Sequence, residues 1–232
     1  SVGTGVASTP PLPKSSPEPS AESLPVSLPE SPELALLREA EEALDHDRRY
    51  ADSLARANNV VLAMLFQLGN PLGKPDKPLP DYVQKNNLTG VGAGAGAGGS
   101  DVDATQLPIP AISAQFPVAA LGKSAAGIGH LNALADVDGG IRSEPLVVRY
   151  YDQYYPSLSL LLAAKSLNLS PADIRINPGE SVKLGKLNIG TDPNSQMYTF
   201  FYKDRDGKPA FQVDSFYDVY SGKISADKYR DK

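Results

Sequence analysis

Ala125–Ala164, which reads AAGIGHLNALADVDGGIRSEPLVVRYYDQYYPSLSLLLAA, carries more structural information than any other part of the chain. Asp138-Gly139 is a tight-turn signal, because primed hairpin turns need positive φ at their central residues. Before it, Ile128, His130, Asn132 and Leu134 alternate with Gly129, Leu131 and Ala133, a pattern that predicts a short strand. After it, Ile141–Tyr150 carries Leu146, Val147 and Val148 and predicts a second strand. Turn and strands together predict an antiparallel hairpin. Pro145 removes a backbone donor, which predicts an edge or a bulge. Pro156 suits the first turn of a helix with Ser157 just inside. Leu158, Leu160, Leu161, Leu162, Ala163 and Ala164 then make that helix apolar on most faces, hence buried.

Upstream, Ser31-Pro32-Glu33 supplies a cap, a first-turn proline and an acid at the positive dipole end. Leu34, Leu37, Leu44, Ala51 and Leu54 fall on one helical face, predicting one long helix that ends at Asn58-Asn59. Val60–Phe66, an unbroken apolar run, predicts a strand buried on both faces, as in a parallel α/β unit. Residues 69–85, with prolines at 71, 75, 78 and 80, predict a loop. Residues 108–124 predict a loop with a short helix. Beyond the central stretch, the sequence predicts a turn at Pro178-Gly179, strands at 182–189 and 196–202, and a short helix within 213–220. The fold class expected is α/β, with a mixed sheet, a long helix feeding a buried strand, an antiparallel hairpin around the D-x-D-G turn and flanking helices.

Two segments read as non-globular. Residues 1–30 are rich in Pro, Ser and Glu and bury too little apolar surface to offset ordering entropy. They act as a linker or as a Pro-rich ligand for a partner. Residues 90–100, GVGAGAGAGGS, are a low-complexity Gly/Ala insertion. The expected organisation is a flexible segment over 1–30 and one domain over 31–232.

The 232 residues include 41% hydrophobic and 7% aromatic residues, no Trp and no Cys. The core is therefore aliphatic, and thiol catalysis and zinc–thiolate sites are excluded. A net charge of −5 argues against a nucleic-acid partner. No window approaches the roughly 18 apolar residues of a membrane-spanning helix. The sequence is expected to be a soluble piece of a longer protein.

Chemistry-bearing residues are few. Asp136-Val137-Asp138-Gly139 suggests calcium. Yet an EF-hand loop needs more ligands and a Gly at its sixth position, so a turn with solvated carboxylates is the alternative. Gly122-Lys123-Ser124 resembles the tail of a phosphate loop, but Pro117 stands where that loop needs its first Gly. Of the two histidines, His46 falls on a charged helix face. His130 falls in an apolar strand, as a core histidine or a ligand-binding one. Tyr150, Tyr151, Tyr154 and Tyr155 line a pocket or pack a strand edge. Arg142 pairs with an anionic ligand or with Asp136 or Asp138 across the turn. The candidate ligand-binding residues are Arg142, Tyr151, Tyr155 and His130. Asp136 and Asp138 are weak metal candidates, and no catalytic residue and no cofactor are expected.

The order of these motifs resembles the CHASE2 domain. In that family an Ala/Gly-rich apolar strand precedes a D-x-D-G turn, an Arg, a Pro-Leu step and a Tyr-Pro-Ser-Leu helix start. Here these are Ala125-Ala126-Gly127, Asp136–Gly139, Arg142, Pro145-Leu146 and Tyr155–Leu158. Asp52-Ser53-Leu54-Ala55 with Asn59–Ala63 resembles the family's helix-to-strand entry, and Asp214–Tyr220 resembles its last helix. The family's opening strand-helix-strand and its closing V-L-I-G strand have no counterpart, so the domain is expected to be trimmed at both ends. The resemblance implies an extracytoplasmic, non-enzymatic sensor domain of a bacterial inner-membrane receptor, periplasmic or cell-surface. The full-length receptor would carry a cytoplasmic output, such as a nucleotide cyclase (adenylate or diguanylate) or a histidine or Ser/Thr kinase. The implied partners are flanking transmembrane helices and an unknown small-molecule or envelope ligand, and a homodimer is compatible with this reading. The alternative is an envelope structural or protein-interaction module without a small-molecule ligand.

Overall fold

The computed structural model describes residues 31–92 and 107–230. The Pro-rich segment 1–30 and most of the Gly/Ala tract lie outside the described residues. The chain divides into two units, residues 1–45 and 46–232.

The first unit contributes helix α1 (Pro32–Leu44). Ser31 caps it, its Oγ accepting from the Leu34 N–H at 3.3 Å. The single long helix expected from the apolar spacing is broken: Asp45 leaves helical geometry at φ −75°, ψ 78°, and α2 (His46–Ala57) starts afresh. Leu34, Leu37 and Leu44 are all exposed. Spacing alone had joined two segments, of which only the second buries its apolar residues, Ala51 and Leu54.

The second unit is a mixed α/β domain, as the sequence reading has it. Asn58 ends α2 in the left-handed region at φ 49°, and β1 (Val61–Leu68) follows. β1 is not buried on both faces: Met64 and Phe66 point inward while Leu65 stays half-exposed. Its neighbours are β3 (Ile109–Gln115), antiparallel, and β4 (Gly127–His130), parallel. β3 pairs in turn with β6 (Val147–Tyr150), parallel, and β6 with β7 (Gln153–Pro156), antiparallel, giving the order β4-β1-β3-β6-β7. The sequence reading took 108–124 as loop plus helix. The helix exists as α4 (Ala119–Ser124), but Pro110 hid β3. The register shift of the β1–β3 ladder skips Ile112, and Pro110 lies just beyond the last pair, Leu68 with Ala111, where its carbonyl accepts from the Gly69 N–H past the end of β1.

The doubly buried element is the β6–β7 hairpin. Val147 and Tyr154 face one core, with Leu160, Leu161, Ile174, Ile176 and Val182. Val148, Tyr150 and Tyr155 face the other, with Phe66, Ile128 and Val83. The hairpin expected at the D-x-D-G turn forms differently. The turn is present, with Gly139 at φ 81° and its N–H donating to the Asp136 carbonyl at 2.8 Å. Its flanking strands pair elsewhere, β4 with β1, and β5 (Ser143–Pro145) with β11 (Gln196–Tyr198). Alternation and turn residues specify strands and turns but not partners, and β4 is claimed by the longer β1.

Pro156 is the last residue of β7 rather than a helical residue. Ser157 caps α5 (Leu158–Ser166) by accepting from the Leu160 N–H at 3.2 Å. The start of α5 lies directly on β4. A Cβ on Gly129 would come within 2.7 Å of the Leu158 Cα, so only glycine fits there. A second sheet runs β10 (Leu187–Gly190), β9 (Ser181–Leu184), β8 (Ile174–Asn177), β2 (Gly90–Val91). The strand expected at 182–189 is thus two strands folded about Gly185, at φ 58°. The start of the Gly/Ala tract is ordered as β2, where Gly90 approaches the Ile174 carbonyl too closely for a side chain. The remaining helices are α3 (Asp81–Gln84), a single turn that starts directly after Pro80 inside the stretch expected as loop, and α6 (Phe216–Tyr220), within the predicted 213–220. No helix of the described residues is long and apolar enough to cross a membrane.

Candidate functional site

His130 closes β4 and is 1% exposed. It forms a parallel bridge to Ser157, so the two edge strands of the five-stranded sheet approach each other at that point. Its Nδ1 accepts from the Asn132 N–H at 3.3 Å, which assigns the proton to Nε2, and Nε2 is buried without a partner. Burial lowers its pKa from 6.5 to about 3, so the ring is neutral at physiological pH. Phe66 stands beside it, with ring centroids 6.2 Å apart, and Phe66 also meets Tyr155 at 5.5 Å and Tyr150 at 5.9 Å. Tyr155 is fully buried, donates to Gln153 Oε1 at 3.0 Å, and is pushed up in pKa by burial. His130 and Tyr155 therefore share one aromatic interior.

Arg142 stands apart from that group. Its Nη1 reaches Asp136 Oδ2 at 2.6 Å and Asp138 Oδ1 at 2.8 Å, and its Nη2 reaches Asp138 Oδ2 at 2.6 Å. Asp138 Oδ1 also accepts from the Gly140 N–H. The Arg142 guanidinium, then that N–H, hold the Asp138 carboxyl down at about 2. This is the pairing across the turn that the sequence allowed, and it leaves both carboxylates engaged with a cation. Among the described residues no group of three or more His, Asp or Glu is arranged to hold a metal ion.

Tyr151 occupies a third location. It is the first residue of the two-residue turn between β6 and β7, with φ 54°. Glycine or asparagine is favoured there, and a bulky ring is a strained choice. The Tyr151 ring packs edge-on against Tyr150 at 4.9 Å. It lines a cleft of about 540 Å³ with Pro71, Lys74, Pro75, Arg149 and Asp152. Arg149 Nη1 donates to the Tyr151 carbonyl at 3.3 Å, while its Nε is buried without an acceptor. Among the described residues no carboxylate pairs with Arg149 or Lys74. The sequence reading missed Arg149 and Lys74. One sat inside a strand pattern and the other in a proline-rich loop, and only the fold brings them together.

Three asparagines whose bonding role is not legible in the sequence hold this framework. The Asn132 side chain continues the ladder of β1 beyond the end of β4: its Oδ1 accepts from the Phe66 N–H at 3.0 Å and its Nδ2 donates to the Phe66 carbonyl at 2.7 Å. Asn86 Oδ1 accepts from the Ile128 N–H at 3.0 Å, and Asn87 Oδ1 from the Tyr154 N–H at 2.8 Å. The neighbouring pair thus serves both edge strands.

The family model of the CHASE2 domain matches residues 20–232. No curated protein and no solved structure matches the chain significantly. The match spans both units and begins upstream of the motifs that carried the resemblance. With that coverage the chain belongs to the CHASE2 domain family, the extracellular sensor domains of signalling receptors.

Proposed function

We propose that this domain is the extracytoplasmic input of a bacterial membrane receptor, passing a stimulus through flanking transmembrane helices to a cytoplasmic nucleotide cyclase or kinase. Membership of the CHASE2 family is the observation that carries this reading. Signalling requires two conformations with different affinity for the stimulus. Of the residues singled out in the sequence, Tyr151 is the best placed to meet a soluble ligand, because it lines an open cleft. His130 and Tyr155 sit in the interior behind the same hairpin and would set its packing rather than touch the ligand. Arg142, held by two aspartates, would contribute to the turn. A reporter fusion in the full-length protein tests the reading. Alkaline phosphatase joined at this domain is expected to be active and a fluorescent reporter dark; the reverse pattern would refute the proposal.

An envelope interaction module is the second reading. It is favoured by the exposed aromatics Phe200, Phe201, Phe211, Phe216, Tyr217 and Tyr220. Stable capture of one defined envelope protein, lost on replacing Phe200 and Phe201 with Ser, would shift the account to it.

A further inference from the structure

We infer that the cleft at the β6–β7 turn binds a small zwitterion, an α-amino acid with an apolar side chain, its carboxylate on Arg149 and Lys74 and its ammonium on Asp152. This rests on the sensor reading above and names the ligand class for its cleft.

Arg149 is held by its own turn. The Tyr151 carbonyl takes one Nη1 bond at 3.3 Å, and Nε remains buried and unsatisfied. A guanidinium presents donors in a planar fork that matches a carboxylate. Lys74 adds a second cation with no acidic partner among the described residues. Two unpaired cations in one concave site recruit an anion. Asp152 restricts which anion, since its carboxylate repels a phosphate dianion and rewards a ligand carrying its own positive end. The other walls, Pro71, Pro75 and the Tyr151 ring, are apolar and suit an aliphatic side chain.

The conformation of Tyr151 is the independent observation. A β-turn position with φ 54° costs a tyrosine conformational strain that glycine would not carry. Strain of this kind collects at ligand sites, where the side chain is needed more than the relaxed backbone. The cleft's volume of about 540 Å³ admits an amino acid the size of leucine with water to spare.

Thermal-shift and calorimetric titrations of the purified domain test this with four probes: L-leucine, 4-methylpentanoate (which lacks the amine), 3-methylbutylamine (which lacks the carboxylate) and inorganic phosphate. Leucine is expected to raise the melting temperature by mass action, and the other three to bind about tenfold more weakly or worse. Asp152→Asn is expected to abolish the preference for leucine over 4-methylpentanoate. Tyr151→Gly is expected to leave the unliganded melting temperature unchanged or higher while weakening leucine about tenfold. Equal binding of phosphate and leucine, or no binding by any of a full set of apolar amino acids, overturns the inference. An extracytoplasmic reporter result beside that failure would leave the sensor reading standing and remove only the ligand class.

Discussion

Lowering the pH should destabilise this domain through His130 before its carboxylates begin to titrate. The ring is 1% exposed, its Nε2–H has no partner, and its folded pKa lies near 3 against 6.5 for a free imidazole. Between those values the unfolded chain binds a proton at this position that the folded domain refuses. Stability therefore falls as pH falls, by about 1.4 kcal/mol per unit at full effect. From pH 7 to pH 5 the loss comes to about 2 kcal/mol. Because pH 5 lies well above the folded value, the figure barely depends on where that value falls. Urea unfolding at both pH values measures it, with His130→Asn as comparator. Its side-chain oxygen can take over the acceptor role of Nδ1 toward the Asn132 N–H. The wild type should lose about 2 kcal/mol more than the variant over this interval. An NMR titration should show one imidazole that stays neutral down to about pH 4. Equal losses in the two proteins would refute the reasoning and mean that His130 is hydrated or paired in solution.

Other substitutions probe the frame around it. Asn132→Ala strips partners from both the N–H and the carbonyl of buried Phe66 and should cost about 3 kcal/mol in a urea melt; a loss below about 1 kcal/mol would mean that water replaces the side chain. Gly129→Ala drives a methyl against the first turn of α5 and should cost about 1–3 kcal/mol, with reduced hydrogen-exchange protection in α5; a neutral result would place that helix farther from β4. Arg142→Ala removes an exposed ion-pair cluster and should leave both the melting temperature and ligand response nearly unchanged; a lost ligand response would return Arg142 to the binding site.

What the sequence disclosed, and what it withheld, follows from the range of each signal. Caps and turns are local, and Ser31, Ser157, Asn58 and Gly139 stand in the roles their chemistry favours. Pairing is not local. Ile128 and Leu146 looked like two sides of a hairpin, yet β4 joins β1, some 60 residues upstream, and β5 joins β11. The apolar run at Val60–Phe66 suggested double burial, whereas the strands enclosed on both faces are the polar-looking β6 and β7, with Arg149, Tyr150, Tyr154 and Tyr155. Pro110 masked β3 because its place beyond the last β1–β3 pair, where a proline is tolerated, is set by where the partner strand ends. The cleft illustrates the same limit. Tyr151 could be named from its density of neighbouring tyrosines, but Lys74 lies more than 70 residues from Arg149 and only topology unites them.

The account's central claim is that this domain supplies the input of a receptor, and the full-length protein in right-side-out membrane vesicles tests it most directly. Cyclase or kinase output would be recorded while apolar amino acids are titrated outside, with the domain intact and with it replaced by a neutral spacer. The account predicts a saturable change in output with the domain present, and an unresponsive basal output without it. The same response with and without the domain would contradict it.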